Sequence, residues 1–184
     1  MSVEPWITLE SELVFDHRWY KVRRDKLRLP NGEVLDDYFV SVRPEIVIMF
    51  AVTADRRVPF VRQYRPGAGA ITLELPGGTF DGEPGAVAAE RELLEETGFR
   101  CDGVQLLCSV YADASKNSNQ IHSFLGSNAQ RVSEQQLDEA ELASGGVDVV
   151  LIPVAELRDR VRSGEIKNES TVLAVYRALE EIGA

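Results

Sequence analysis

The residues from 77 to 99, GGTFDGEPGAVAAERELLEETGF, constrain this 184-residue chain more than any other stretch. They read as a glycine loop that opens into a helix crowded with carboxylates. Glu92, Glu95 and Glu96 stand at i, i+3 and i+4, so a helix places their side chains on one face. Like charges at that spacing repel, and a folded protein has to compensate them. A hard divalent cation supplies the compensation, because Mg²⁺ takes oxygen ligands and keeps waters and phosphate oxygens in its shell. The bland alternative is an acidic amphipathic helix on a solvated face.

Composition narrows the setting. Hydrophobic residues make up 44% of the chain and charged residues 27%, a soluble globular balance with enough chain for a core. The formal charge of −10 argues against general nucleic-acid or anionic-membrane binding, so a polyanionic ligand would have to be met by local cations. The longest apolar run, Ile46 to Val52, is too short to span a bilayer, and the N-terminus shows no basic-then-apolar leader. Cys101 and Cys108 lack metal-like spacing and read as reduced thiols, so a cytoplasmic location is expected.

Along the chain, residues 6–43 read as antiparallel strands, with a hairpin turning at Pro30-Asn31-Gly32. Arg43-Pro44 is a plausible boundary. Residues 1–43 are therefore expected to form a small antiparallel extension and 44–184 the main domain. Glu45 to Thr53 reads as a strand buried on both faces, Val58 to Tyr64 as its return, and Ile71 to Leu75 as a short strand delivering the chain to the glycines. The helix is expected to start near Pro84 or Gly85 and stop at Gly98, with Val87, Leu93 and Leu94 supplying its apolar side. Strands are expected at 104–111, 120–125 and 147–152, a helix from Pro153 to about Arg162, and a last helix capped by Asn168 or Ser170. The acidic stretch 133–142 reads as a helical turn or a mobile loop.

The 77–99 stretch resembles the signature of the Nudix hydrolases, G-x5-E-x7-R-E-U-x-E-E-x-G-U with U aliphatic or aromatic, and meets every specified position. Arg62-Gln63-Tyr64-Arg65-Pro66 and Leu73-Glu74-Leu75-Pro76 resemble the branch that cleaves ADP-ribose and other nucleoside diphosphate sugars. The resemblance implies an α/β (α+β) fold, a Nudix-type α/β/α sandwich with a mixed sheet behind a small antiparallel sheet. It implies hydrolysis of a diphosphate bond with Mg²⁺, or Mn²⁺, as cofactor. Carried over residue by residue, Glu92, Glu96 and Glu95 are expected metal ligands together with the Gly77 carbonyl. Arg91, Glu83, Gly78 and Gly98 are expected to support them. Since Gly77 and Gly78 are adjacent, the metal-binding carbonyl can be aligned to either.

The resemblance implies a glutamate that activates water. The candidates are Glu95 of the signature and, in the acidic stretch before the strand at 147–152, Glu141 or its neighbour Glu139. The resemblance also implies that Arg65 contacts the substrate diphosphate. By the same resemblance Trp19, with Tyr38 behind it, is a candidate to stack on the base of a nucleotide bound by the partner copy. Glu74 is either a further substrate or metal contact or a strand-edge charge. His122 reads as a strand residue with nothing paired to it. The N-terminal hairpin resembles one that forms a homodimer in this branch. The loop 111–119 lacks the proline that ADP-ribose-type members usually carry, so the resemblance reaches nucleoside diphosphate sugars rather than ADP-ribose in particular. The competing readings are another nucleoside diphosphate derivative, a triphosphate or dinucleoside polyphosphate, and a nucleotide-sensing module without catalysis.

Overall fold

The computed structural model describes all residues except Met1, Asp138 and Ser144, and the side chains of Ala140 and Glu141. Two compact units emerge, one of Met1–Pro44 with Tyr111–Gln120, the other of Glu45–Val110 with Ile121–Ala184.

The first unit is an antiparallel sheet in the order β1-β2-β3: Ile7–His17, Tyr20–Arg28 and Val34–Val42. Gly32, at φ +88°, supplies the left-handed residue of the turn between β2 and β3. The loop after residue 111 adds to this sheet. Ser41 exchanges backbone hydrogen bonds with it, donating to the Lys116 carbonyl at 2.7 Å and accepting from the Ser118 N–H at 3.0 Å. Among its described residues, Leu27 and Val40 are the larger apolar side chains that are deeply buried, as expected for a thin three-stranded sheet.

The second unit carries two sheets. One is antiparallel, in the order β10-β5-β6, built from Asp148–Pro153, Arg57–Arg65 and Ala70–Glu74. The other has the order β7-β4-β9-β8: Gly77–Phe80, Glu45–Thr53, Gln120–Arg131 and Phe99–Tyr111. It is mixed, since β4 runs antiparallel to β7 and parallel to β9. Of its helices, α1 is Gly85–Thr97, α2 Glu139–Ala143, α3 Leu157–Arg162 and α4 Glu169–Glu181. A 3₁₀ turn, Val154–Glu156, leads from Pro153 into α3. Among the described residues no helix is long and apolar enough to cross a membrane.

The unbroken apolar run of β4 is buried on both faces because helices cover both. Val47, Met49 and Ala51 pack with Ala88, Ala89 and Leu93 of α1, with Phe99, Phe124 and Ala129 closing the cluster. Ile48 and Phe50 alternate to the other face, and α4, which buries Ala174, Val175, Ala178 and Leu179, packs on β4. The α/β/α arrangement follows from that double covering.

Three details differ from expectation. The glycines at 77 and 78 form a strand rather than a loop, because β4 pairs with them. Strand β8 begins at Phe99 and β9 continues to Arg131, so both run well beyond the expected 104–111 and 120–125. The apolar side of α1 is built from Ala88, Ala89 and Leu93, while Val87 is exposed.

The end of α1 is set by Gly98. Its φ is +74° and its N–H donates to the Leu94 carbonyl at 2.8 Å, closing the last turn. A Cβ there would stand 2.2 Å from the Ser133 carbonyl oxygen. Gly98→Ala therefore combines left-handed strain with a backbone clash and is expected to cost about 2–4 kcal/mol. Urea unfolding should show the midpoint falling with an unchanged slope.

Candidate functional site

Helix α1 and strand β7 build the carboxylate centre together. Two residues four apart on the helix reach two adjacent residues of the strand. The Glu96 carboxylate, on a residue only 4% exposed, accepts the Gly77 N–H at 2.9 Å. The Glu92 carboxylate lies against Gly78 so closely that a Cβ there would stand 2.4–2.7 Å from its three terminal atoms. Gly77 lacks a side chain for a different reason: its Cβ would meet the Val47 carbonyl oxygen of β4 at 2.2 Å. Each glycine is thus required, one by the neighbouring strand and one by the helix carboxylate.

The strand register also orients the Gly77 carbonyl. Met49 of β4 donates to the Pro76 carbonyl at 2.9 Å, so the next pair, Ile48 and Gly77, is not hydrogen-bonded across the strands. A residue in such a pair turns both its N–H and its C=O away from the partner strand. The Gly77 N–H meets Glu96, and its carbonyl leaves β7 on the same side, the edge of the sheet.

Arg91 ties the acidic groups into a network. Its Nη1 donates to Glu92 and Glu95, each at 2.9 Å, and its Nη2 to Glu83 at 3.0 Å. Partial burial works against its charge, but the three carboxylates outweigh that and hold its pKa well above the ordinary arginine value. One cation among Glu83, Glu92, Glu95 and the nearby Glu96 leaves an excess of negative charge. The backbone behind them is anchored as well: Gln135 Nε2 donates to the Glu96 carbonyl at 2.6 Å and to that of Val147 at 2.8 Å.

The donor set suits a hard divalent cation. Among the described residues no three acidic, histidine or cysteine side chains close into a cage by themselves. An open arrangement, two carboxylates beside an edge-facing carbonyl, is the kind Mg²⁺ accepts, because it retains waters and takes phosphate oxygens as further ligands.

Arg65, at the end of β5, forms a two-point ion pair with Glu74 of β6, Nε to Oε1 at 3.1 Å and Nη2 to Oε2 at 2.8 Å. Glu74 is buried and also accepts from Thr72 Oγ1 at 2.6 Å and from the Asn168 side chain. Burial pushes its pKa up, yet Arg65, Thr72 and Asn168 together bring it below the ordinary glutamate value. Glu74 thus ends an edge strand, yet its carboxylate is buried and paired rather than solvated.

The remaining candidates are placed as follows. Trp19 sits in the tight turn between β1 and β2, 70% exposed, with the Arg18 guanidinium 4.8 Å from its ring centre. Tyr38 donates its hydroxyl to the Ser115 carbonyl, meets Trp6 edge-on at 6.0 Å, and has Lys116 Nζ 5.2 Å from its ring. Both belong to the first unit. Glu141 falls in α2, but its side chain lies outside the described residues.

His122 is not unpaired, as its sequence context suggested. Nδ1 meets Ser109 Oγ at 2.7 Å and Nε2 meets Glu45 at 3.0 Å, across three neighbouring strands. Gln135, Thr171 and the Glu74 contact of Asn168 also escaped the sequence reading. A polar residue in a loop or a helix cap carries no local signal of which distant backbone it reaches.

Two family models match the chain: the nucleoside diphosphate sugar hydrolase N-terminal domain over residues 6–41 and the NUDIX domain over residues 42–181. The methanol dehydrogenase activator of Bacillus methanolicus is 30% identical, over 95% of this chain and 93% of its own. The ADP-ribose pyrophosphatase of Mycobacterium tuberculosis is 29% identical over 95% and 84%. The GDP-mannose pyrophosphatase of Salmonella typhimurium is 25% identical over 91% and 92%. A crystal structure of an ADP compounds hydrolase shares the fold, with a TM-score of 0.85 and 24% identity over 100% of this chain and 97% of that one. Signature, fold and these matches agree: the chain belongs to the NUDIX family, as a hydrolase of diphosphate bonds that also carries the N-terminal domain of the nucleoside diphosphate sugar hydrolases.

Proposed function

We propose that this protein hydrolyses the diphosphate bond of a nucleoside diphosphate sugar, ADP-ribose or a close relative, yielding a nucleoside monophosphate and a sugar phosphate. The observation that carries this reading is the pairing of Glu92 and Glu96 with Gly78 and Gly77, clamped by Arg91. Relatives of nearly full length named as ADP-ribose and GDP-mannose pyrophosphatases support the substrate class. The absence of a proline from the loop 111–119 leaves the sugar as the part to be determined by assay.

In this reading Glu92, Glu96 and the Gly77 carbonyl hold Mg²⁺ or Mn²⁺, with Glu95 as a further ligand. The ion, when bound, neutralises phosphoryl charge and lowers the pKa of a coordinated water. Glu95 or Glu141 takes the proton as water attacks a phosphorus of the bridge, and the bond from that phosphorus to the bridging oxygen breaks. Arg91 orients Glu92 and Glu95, with Glu83 holding its far side. Arg65 contacts the diphosphate, for which its planar fork is suited. Trp19 or Tyr38 of one copy stacks on the base of the nucleotide bound by a second copy.

The first unit exposes Trp6, Ile7, Leu13, Phe15, Trp19 and Phe39, which supports association with a second copy through this sheet. With a charge of −10, nucleic acid and anionic membrane are not partners in this reading.

A panel of nucleotide sugars, dinucleoside polyphosphates and triphosphates, assayed with Mg²⁺ and with chelator, tests the reaction. Turnover is expected for the sugars, with paired monophosphate products, and none with chelator. Glu96→Gln is expected to lower kcat by about 10²- to 10³-fold or more, the scale of losing electrostatic stabilisation of a transition state. Near-full metal-dependent turnover by that variant would remove Glu96 from the metal set. Gly78→Ala drives a methyl into the Glu92 carboxylate and is expected to lower activity roughly 10- to 100-fold. Its stability should stay within about 1 kcal/mol of wild type, because only the end of a side chain has to move. An unaltered metal dependence in Gly78→Ala would separate Glu92 from the metal.

A further inference from the structure

We propose that Glu74 is a positioning residue, a buried carboxylate that fixes the Arg65 guanidinium for the substrate diphosphate and couples it to the first turn of α4. The proposal rests on the reading of Arg65 given above.

The pair is asymmetric. Glu74 is 5% exposed, whereas the Arg65 side chain keeps 45% of its surface in solvent. Burial imposes a desolvation cost on the carboxylate that its donors must offset, while the guanidinium keeps much of its hydration. Here one end is locked inside and the other is presented outside. An isolated carboxylate at that depth would be expensive, and the protein surrounds it with donors: two N–H groups of Arg65, the Thr72 hydroxyl and the Asn168 side chain. Two parallel bonds define the plane of the guanidinium as well as its position.

That constraint matters for binding. A long arginine side chain loses rotamer freedom when it engages a ligand, and a side chain already held in one orientation loses less. Glu74 therefore acts on affinity for the diphosphate more than on the chemical step.

Asn168 extends the arrangement into α4. As the N-cap of that helix its Oδ1 accepts from the Thr171 N–H, while its side chain also reaches Glu74. In the same turn Thr171 Oγ1 accepts from the Leu75 N–H at 3.2 Å, directly upstream of Pro76 and the two glycines. One helical turn thus holds the residue that sets Arg65 and the segment that delivers Gly77.

The test compares wild type, Glu74→Gln, Arg65→Gln, the double variant and Asn168→Ser, using ADP-ribose turnover with Mg²⁺ and calorimetric affinity for ADP. Glu74→Gln is expected to raise KM about tenfold, the scale of losing an outer-shell partner, with kcat within about threefold of wild type. Adding it to Arg65→Gln should change nothing further, because its effect passes through the arginine. Asn168→Ser keeps a competent helix cap, removes the Glu74 contact, and should raise KM by about threefold. ADP affinity should fall in the same order.

A full Glu74→Gln effect persisting in the Arg65→Gln background would overturn the proposal, as would unchanged KM and ADP affinity in folded Glu74→Gln and Asn168→Ser. A fall in kcat at constant KM would also refute it. If wild type bound ADP and left ADP-ribose intact, the substrate reading would fail while the affinity series still decided the role of Glu74.

Discussion

The guanidinium of Arg91 is the interaction on which the catalytic half of this protein depends. Glu83, Glu92 and Glu95 all end within hydrogen-bonding distance of it, and Glu96 lies one helical turn on from Glu92. Four carboxylates gathered this tightly repel one another, and a single cation offsets only part of that charge. The remainder is what makes the region suited to a divalent ion. Arg91 orients Glu83, Glu92 and Glu95, while the Gly77 N–H orients Glu96.

Such a network holds only if the helix and the strand beside it stay in register, and glycine makes that possible. Gly77 permits β7 to lie against β4, and Gly78 permits the Glu92 carboxylate to lie against β7. Gly98 ends the helix one residue after its last turn, where the chain must pass the Ser133 carbonyl. On the same buried side of α1 as Glu96, Ala88 and Ala89 bring the helix close enough to β4 for these contacts to form. The alanines therefore shape the site from the core side.

The Arg65–Glu74 pair follows a different principle. Charge is buried at one end and displayed at the other, and the buried end is satisfied by a strand neighbour, Thr72, and by a helix cap, Asn168. The His122 contacts to Ser109 and Glu45 likewise join strands far apart in sequence. Both are cross-strand networks, and both depend on sheet order.

Sequence alone determined the element that carries the carboxylates, its direction and its end, because helical periodicity and the left-handed glycine are local properties of the chain. It also identified β4 as doubly covered, since an unbroken apolar run admits no solvent face. Pairing belonged to the tertiary structure. That Gly77 and Gly78 form a strand, that each is glycine for its own reason, and that Glu74 is buried beneath Arg65 all depend on which backbone lies alongside. The same holds for His122, whose partners come from β4 and β8. A residue's neighbours along the chain set its conformation, whereas hydrogen-bond partners across a sheet or at a helix cap are chosen only when the whole fold brings distant segments together.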